Sequence, residues 1–159
     1  MQRNNLKKIV VSTGVGKFRQ NPKFEDSILP SIINDFSTIV GQKPATRGAK
    51  KSIATFKTRT GDVVGLVVTL RGQRMKDFLT RLVNVTLPRV RDFRGIDVKN
   101  FDERGNLNIG LREHTVFPEI NPEKVVTPFG IQITMVGDAR TPEESEKLFR
   151  DAGIPFKKS

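Results

Sequence analysis

Cysteine, tryptophan and tyrosine are missing from this 159-residue chain, and histidine occurs once. Without cysteine there are no disulfides, no thiol nucleophile and no thiolate metal site, which suits a reducing compartment. One histidine without cysteine cannot assemble an ordinary zinc site, so no metal and no other cofactor is expected. No apolar run approaches the ~20 residues of a membrane span, and no membrane partner is expected. The first residues, Met1–Lys8, lack the apolar stretch of a secretory signal, so the chain is expected to stay where it is made, in the cytoplasm. The missing Trp and Tyr also weigh against a module that reads single strands by stacking bases on aromatics. The eleven Phe fall mostly at core-periodic positions.

Negative charge is scarce as well. The chain carries 28 Lys and Arg against 17 Asp and Glu, a formal net charge of +11. The imbalance lies in residues 1–112, with 22 basic and 9 acidic side chains; residues 113–159 hold 6 and 8. The stretch Gln42–Gly61 contains Lys43, Arg47, Lys50, Lys51, Lys57 and Arg59 with no acid. Ile53, Thr55 and Phe56 are β-formers, so this is not the composition of a disordered basic tail. A folded, purely cationic segment is costly unless something anionic lies against it, and phosphate is the natural candidate. Arg71–Arg94 adds a second arginine-rich stretch suited to bidentate phosphate contacts.

The length suits one domain over residues 1–159, burying about 70% of its unfolded surface. Leu6–Thr13 alternates as a strand. A helix is expected to start at Asn21-Pro22, to be kinked or split at Pro30, and to stop at Gly41. Ser52–Thr58 and Asp62–Leu70 read as paired strands. A second helix has Met75, Phe78, Leu79, Leu82 and Val83 on one face and ends at Pro88. Residues 89–105 read as loop, and Asn106–Arg112 and Gly130–Val136 as strands. Thr141, Pro142, Glu144 and Gly153 mark the last helix with a capping box and a stop. This order predicts an α+β fold: an antiparallel or mixed, RRM-like sheet with helices on one face and a protruding basic hairpin.

No constellation asks to be an active site. Thr13-Gly14-Val15-Gly16-Lys17 follows a strand but lacks P-loop spacing, so a tight strand exit is the simpler reading. His114, beside Glu113, lacks a second histidine and any indicated base partner, and is expected at the surface or an interface. A nucleotide-acting enzyme is thus disfavoured, and a generic basic nucleic-acid binder is the main alternative to a dedicated RNA-binding protein.

Several motifs occur in order: G-Q-K-P at Gly41–Pro44, A-K-K-S at Ala49–Ser52, V-T-L-R-G at Val68–Gly72, P-R-V-R-D-F-R-G at Pro88–Gly95, F-D-E-R-G-N at Phe101–Asn106 and F-P-E-I at Phe117–Ile120. With the terminal G-I-P-F-K-K, the chain resembles the family of ribosomal protein five of the bacterial large subunit along nearly its whole length. The resemblance implies a non-enzymatic constituent of the central protuberance of the large ribosomal subunit, bound to 5S rRNA and also to 23S rRNA. Carried across by position, the 5S contacts would come from Ser12, Gln42 and Thr69, with Lys43 and Arg71 beside them. The protruding loop, with Arg47, Lys50, Lys51, Ser52, Lys57 and Arg59, would approach the tRNA in the peptidyl site. Arg104, Arg112, Glu113 and His114 would face a small-subunit head protein across an intersubunit bridge. Ser12 stands where Asn is common in the family, which implies a shorter or water-mediated contact.

Overall fold

The computed structural model describes residues 5–50 and 59–158. Among them a five-stranded open antiparallel sheet has the order β2-β3-β1-β5-β4. The strands are β1 (Leu6–Gly14), β2 (Ala45–Gly48), β3 (Val63–Leu70), β4 (Leu107–Leu111) and β5 (Ile131–Gly137), accompanied by helices α1 (Leu29–Val40), α2 (Gly72–Arg81) and α3 (Pro142–Asp151). The α+β class expected from the element order is therefore the observed one.

Contacts divide the chain into two compact units. One comprises residues 1–10, 69–110 and 132–159; the other comprises 11–68 and 111–131. We call them the α3 unit and the hairpin unit. The boundaries fall inside β1, β3, β4 and β5 rather than in linkers.

In the hairpin unit, the backbone turns helical at Phe24 through one wide π-type turn that leads into α1. Pro30 occupies the second position of the α-helical part and, having no N–H, cannot donate to the helical turn before it. It therefore divides two kinds of helical turn, as the pattern suggested. Asn21 does not cap the helix; its Oδ1 accepts from the Lys23 N–H at 2.9 Å in a turn just ahead of it. Ile32, Phe36, Ile39 and Val40 are buried on one side of α1, each contributing about 1.5–3 kcal/mol for a fully buried large side chain. Gly41 closes the helix in the left-handed region, at φ 78°, and its N–H donates to the Ser37 carbonyl.

In the α3 unit, α2 continues through a π-type and a 3-10 turn to Arg89, with Pro88 inside the last turn. Helical backbone thus outlasts the proline by one residue, because a 3-10 turn tolerates proline near its start. Thr141 Oγ1 caps α3 by accepting from the Glu144 N–H at 3.2 Å. Glu144 Oε2 reaches back to the Arg140 N–H at 3.0 Å, one residue before the expected capping-box partner. At the other end, Ile154 N–H bonds to Phe149 O and Gly153 N–H to Arg150 O, both at 3.0 Å, the Schellman pattern that satisfies the last carbonyls. Residues 89–105 are ordered by local bonds. Asp102 Oδ1 accepts from the N–H groups of Arg104 (2.8 Å) and Asn106 (2.9 Å), which makes F-D-E-R-G-N a side-chain-stapled turn.

Candidate nucleic-acid interface

Strand burial alternates with the pleat, which leaves one sheet face without a buried side chain. In β1, Ile9, Val11 and Thr13 are buried, while Lys8, Val10 and Ser12 are partly exposed. In β3, Leu66, Val68 and Leu70 are buried, while Gly65, Val67 and Thr69 are partly exposed. Ser12 and Thr69, two of the expected RNA contacts, thus lie on the half-open side of their strands. Gln42 is half-buried just beyond α1, Lys43 is exposed beside it, and Arg71 is exposed at the start of α2. Ser12, Gln42 and Lys43 belong to the hairpin unit, Thr69 and Arg71 to the α3 unit.

The β2–β3 hairpin carries the concentrated charge. β3 lies between β1 and β2, and its hairpin partner among the described residues is Ala45–Gly48, upstream of the expected strand at Ser52–Thr58, which lies outside the described residues. The pairing is antiparallel, Ala45 with Val67 through Gly48 with Val63, and its register shifts between Arg47 and Gly48. Beyond the strands, Ala49 N–H bonds to Asp62 O at 2.7 Å and Gly61 N–H to Ala49 O at 2.9 Å, so the ladder continues towards the loop. All four residues of β2 are exposed. Arg47 pairs with Gly65, whose lack of a side chain leaves the arginine stem uncrowded on the sheet surface.

Of the six residues expected in the tRNA-facing loop, Arg47, Lys50 and Arg59 are described. Arg47 and Arg59 are exposed, as is Lys50. Lys51, Ser52 and Lys57 lie outside the described residues. Among the described residues, no carboxylate forms a salt bridge with Arg47, Lys50 or Arg59. The one acid in the hairpin turn is already committed: Asp62 Oδ2 accepts from the Arg59 N–H at 2.8 Å and lies 3.2 Å from Arg19 Nη2.

Arg19 has no counterpart in the sequence reading. Its side chain is only 12% exposed; Nη1 donates to the Val63 carbonyl at 3.1 Å, and the guanidinium lies 4.9 Å from the centre of the Phe24 ring. Hydrogen bonds to a charged donor and a cation–π contact together clamp the hairpin at its loop end. Asp62 and Val63 are 43 and 44 residues away in sequence, and the nearer acid, Glu25, is more distant in space, with Oε1 3.8 Å from Nη2, so local sequence does not reveal the clamp.

His114 requires a correction. It is not at the surface: its exposure is 0%. Its ring stacks on Phe129 with centroids 3.9 Å apart, and its Nδ1 accepts from the Phe129 N–H at 3.3 Å. That bond leaves the proton on Nε2, which donates to Asp35 Oδ2 at 3.0 Å. The ring is a satisfied core group rather than a direct partner contact. Arg112 and Glu113 beside it are exposed, as is Arg104 in the other unit.

Gly14–Phe18 serves as a strand exit. Val15 N–H bonds to Val64 O at 2.8 Å and a single 3-10 turn follows. Among the described residues no cluster of His, Asp and Glu could hold a metal, and no helix is long and apolar enough to cross a membrane.

Two family models cover the chain. The model described as "Ribosomal protein L5" matches residues 1–59, and the model for the C-terminus of the same ribosomal family matches residues 63–156. The protein of Halothermothrix orenii called large ribosomal subunit protein uL5 is 51% identical over 95% of this chain and 82% of its own length. Proteins of the same name from Syntrophomonas wolfei and Fusobacterium nucleatum are 48% and 51% identical, each over 99% of this chain. Those matches cover 86% and 84% of the relatives.

Proposed function

The chain belongs to the ribosomal protein L5 family, structural constituents of the large ribosomal subunit rather than enzymes, and from that premise we propose that it binds 5S rRNA in the central protuberance. Ser12, Gln42 and Lys43 of the hairpin unit, and Thr69 and Arg71 of the α3 unit, contribute those contacts. Arg47, Lys50 and Arg59, with Lys51, Ser52 and Lys57, face the tRNA in the peptidyl site. Arg104, Arg112 and Glu113 face a small-subunit head protein, while His114 acts only by holding Asp35 and Phe129 beneath the surface. 23S rRNA is a further partner, the setting is a cytoplasmic ribosome, and residues 1–159 act as one domain.

The observation that supports this reading best is the hairpin: exposed cations with no acid paired to their side chains among the described residues, on a β-ladder that Arg19 clamps at its loop end. Such an arrangement keeps charge concentrated in one place and gains nothing at home from doing so. Six phosphate contacts would give 5S rRNA binding a log–log salt slope of about −4 to −5. A nearly flat salt dependence contradicts the proposal. The alternative, a generic basic binder, predicts that duplex DNA displaces 5S rRNA at equal phosphate concentration; selective retention of the RNA argues against it.

A further inference from the structure

The α3 unit holds a second concentration of cations, assembled from two segments that are distant in sequence. Ile96 N–H donates to the Pro155 carbonyl at 2.7 Å, and Lys157 N–H donates to the Ile96 carbonyl at 2.9 Å. The backbones approach so closely that a β-carbon on Gly95 would sit 2.6 Å from the Lys157 nitrogen. Gly95 also has φ +112°, so any side chain there would be strained and would drive the segments apart. Arg94 and Lys157 therefore leave from neighbouring stretches of backbone.

Arg89 and Arg91 sit just ahead, in a turn closed by Val90 N–H to Leu87 O (3.1 Å) and Phe93 N–H to Val90 O (3.3 Å). Asp92 occupies the left-handed region at φ 56° within this turn, an uncommon conformation for a residue other than glycine. Arg89, Arg91, Arg94, Lys157 and Lys158 are all exposed, and none forms a salt bridge among the described residues. Two acids share a cleft with the lysines, and both are engaged: Asp97 accepts from the Lys99 N–H and Glu146 is paired with Arg150. Of the aromatics here, Phe156 is 9% exposed, stacked on Phe101 and covered by Arg150, while Phe93 is half-buried between Arg91 and Arg94.

We propose that Arg89, Arg91, Arg94, Lys157 and Lys158 form a second binding site, in the α3 unit, for the phosphate backbone of a folded RNA. The arginines supply planar forks for paired phosphate oxygens and the lysines supply point charges. Contacts of this kind recognise backbone position and shape rather than base identity. This inference rests on the reading of the chain as an rRNA-binding ribosomal protein.

The test uses the full chain, a salt series, and two separate probes, transcribed 5S rRNA and 23S rRNA. One variant carries R89Q, R91Q, R94Q, K157Q and K158Q; a second carries K43Q and R71Q, the exposed cations assigned to 5S rRNA. Each cation that engages a phosphate should make the log–log slope shallower by about 0.7–0.9. The variant with five substitutions is therefore expected to flatten the slope by roughly 3.5–4.5 on one RNA, and the probe affected identifies the source. Wild-type slopes on both RNAs for that variant, with a reduced slope on 5S rRNA for the K43Q/R71Q variant, overturn the second site and leave the proposed function standing. A wild-type chain that binds neither RNA in a salt-dependent way overturns both. An unchanged thermal midpoint confirms that the exposed substitutions left the fold intact.

Discussion

The hairpin residues 45–50 and 59–62 and the segment 141–156 that contains α3 are both rich in charge, yet they use it differently. In α3 three of the six charged side chains have a local task. Glu144 caps the helix start, Glu146 pairs with Arg150 at 2.6 Å, and Arg150 lies over Phe156. In the hairpin, Arg47, Lys50 and Arg59 stand exposed with no acid paired to their side chains among the described residues. Charge engaged at home adds a little stability and offers little to a partner. Charge left unengaged adds nothing to the fold and is available to a polyanion.

The sharpest way to break this comparison is to reverse the hairpin charges. Arg47→Glu, Lys50→Glu and Arg59→Glu together should lower affinity for tRNA by at least about a hundredfold at moderate salt, with 5S rRNA binding mostly intact. Filter binding measures it. Folding stability should change by no more than about 0.5 kcal/mol for each exposed position. A large loss of stability would mean that these cations have local partners after all.

A smaller effect, confined to stability, is expected inside the hairpin unit at His114. His114→Ala removes a buried ring and leaves the Phe129 N–H and Asp35 without their bonds, so urea unfolding should show a loss of about 3 kcal/mol. RNA affinity of the folded fraction should hold. Loss of RNA binding in a well-folded variant would restore His114 as a contact residue.

Arg19 should behave as the bridge between the two kinds of charge. Arg19→Ala is expected to cost about 1–3 kcal/mol, because the Val63 carbonyl loses a charged donor. It should also weaken RNA binding without changing the salt slope, since Arg19 itself reaches no phosphate. A slope change equal to that of an exposed cation would show that Arg19 contacts RNA directly.

The smallest effect belongs to the helix. Thr141→Ala should cost about 1 kcal/mol through loss of the cap, and RNA affinity should not move. A parallel loss of binding would erase the contrast between the two regions.

Much of this architecture is legible in local chemistry. Gly41 and Gly153 end helices, Pro30 separates two helical regimes, and Thr141 with Glu144 announces α3, because each acts within about four residues of itself. The β3 partner is harder to read. Ala45–Gly48 is short and exposed, so it lacks the alternation that marks a half-buried strand, and the more β-prone Ser52–Thr58 competes for the assignment. His114 misleads for a different reason: its partner Asp35 is 79 residues away. A polar residue looks exposed until its buried partners are known.

The order of residues alone determined the kinds of elements, where they start and stop, and the excess of positive charge towards the first two-thirds of the chain. These depend on backbone preference and side-chain ionisation, which each residue carries with it wherever it lies. Tertiary structure alone decided which charges are engaged and which stay available. Arg19 and Arg47 are the same residue type; one is clamped against Val63 and Asp62, and the other stands open opposite Gly65. That difference follows from chain packing across tens of residues, where a partner's distance sets the energy and sequence proximity does not.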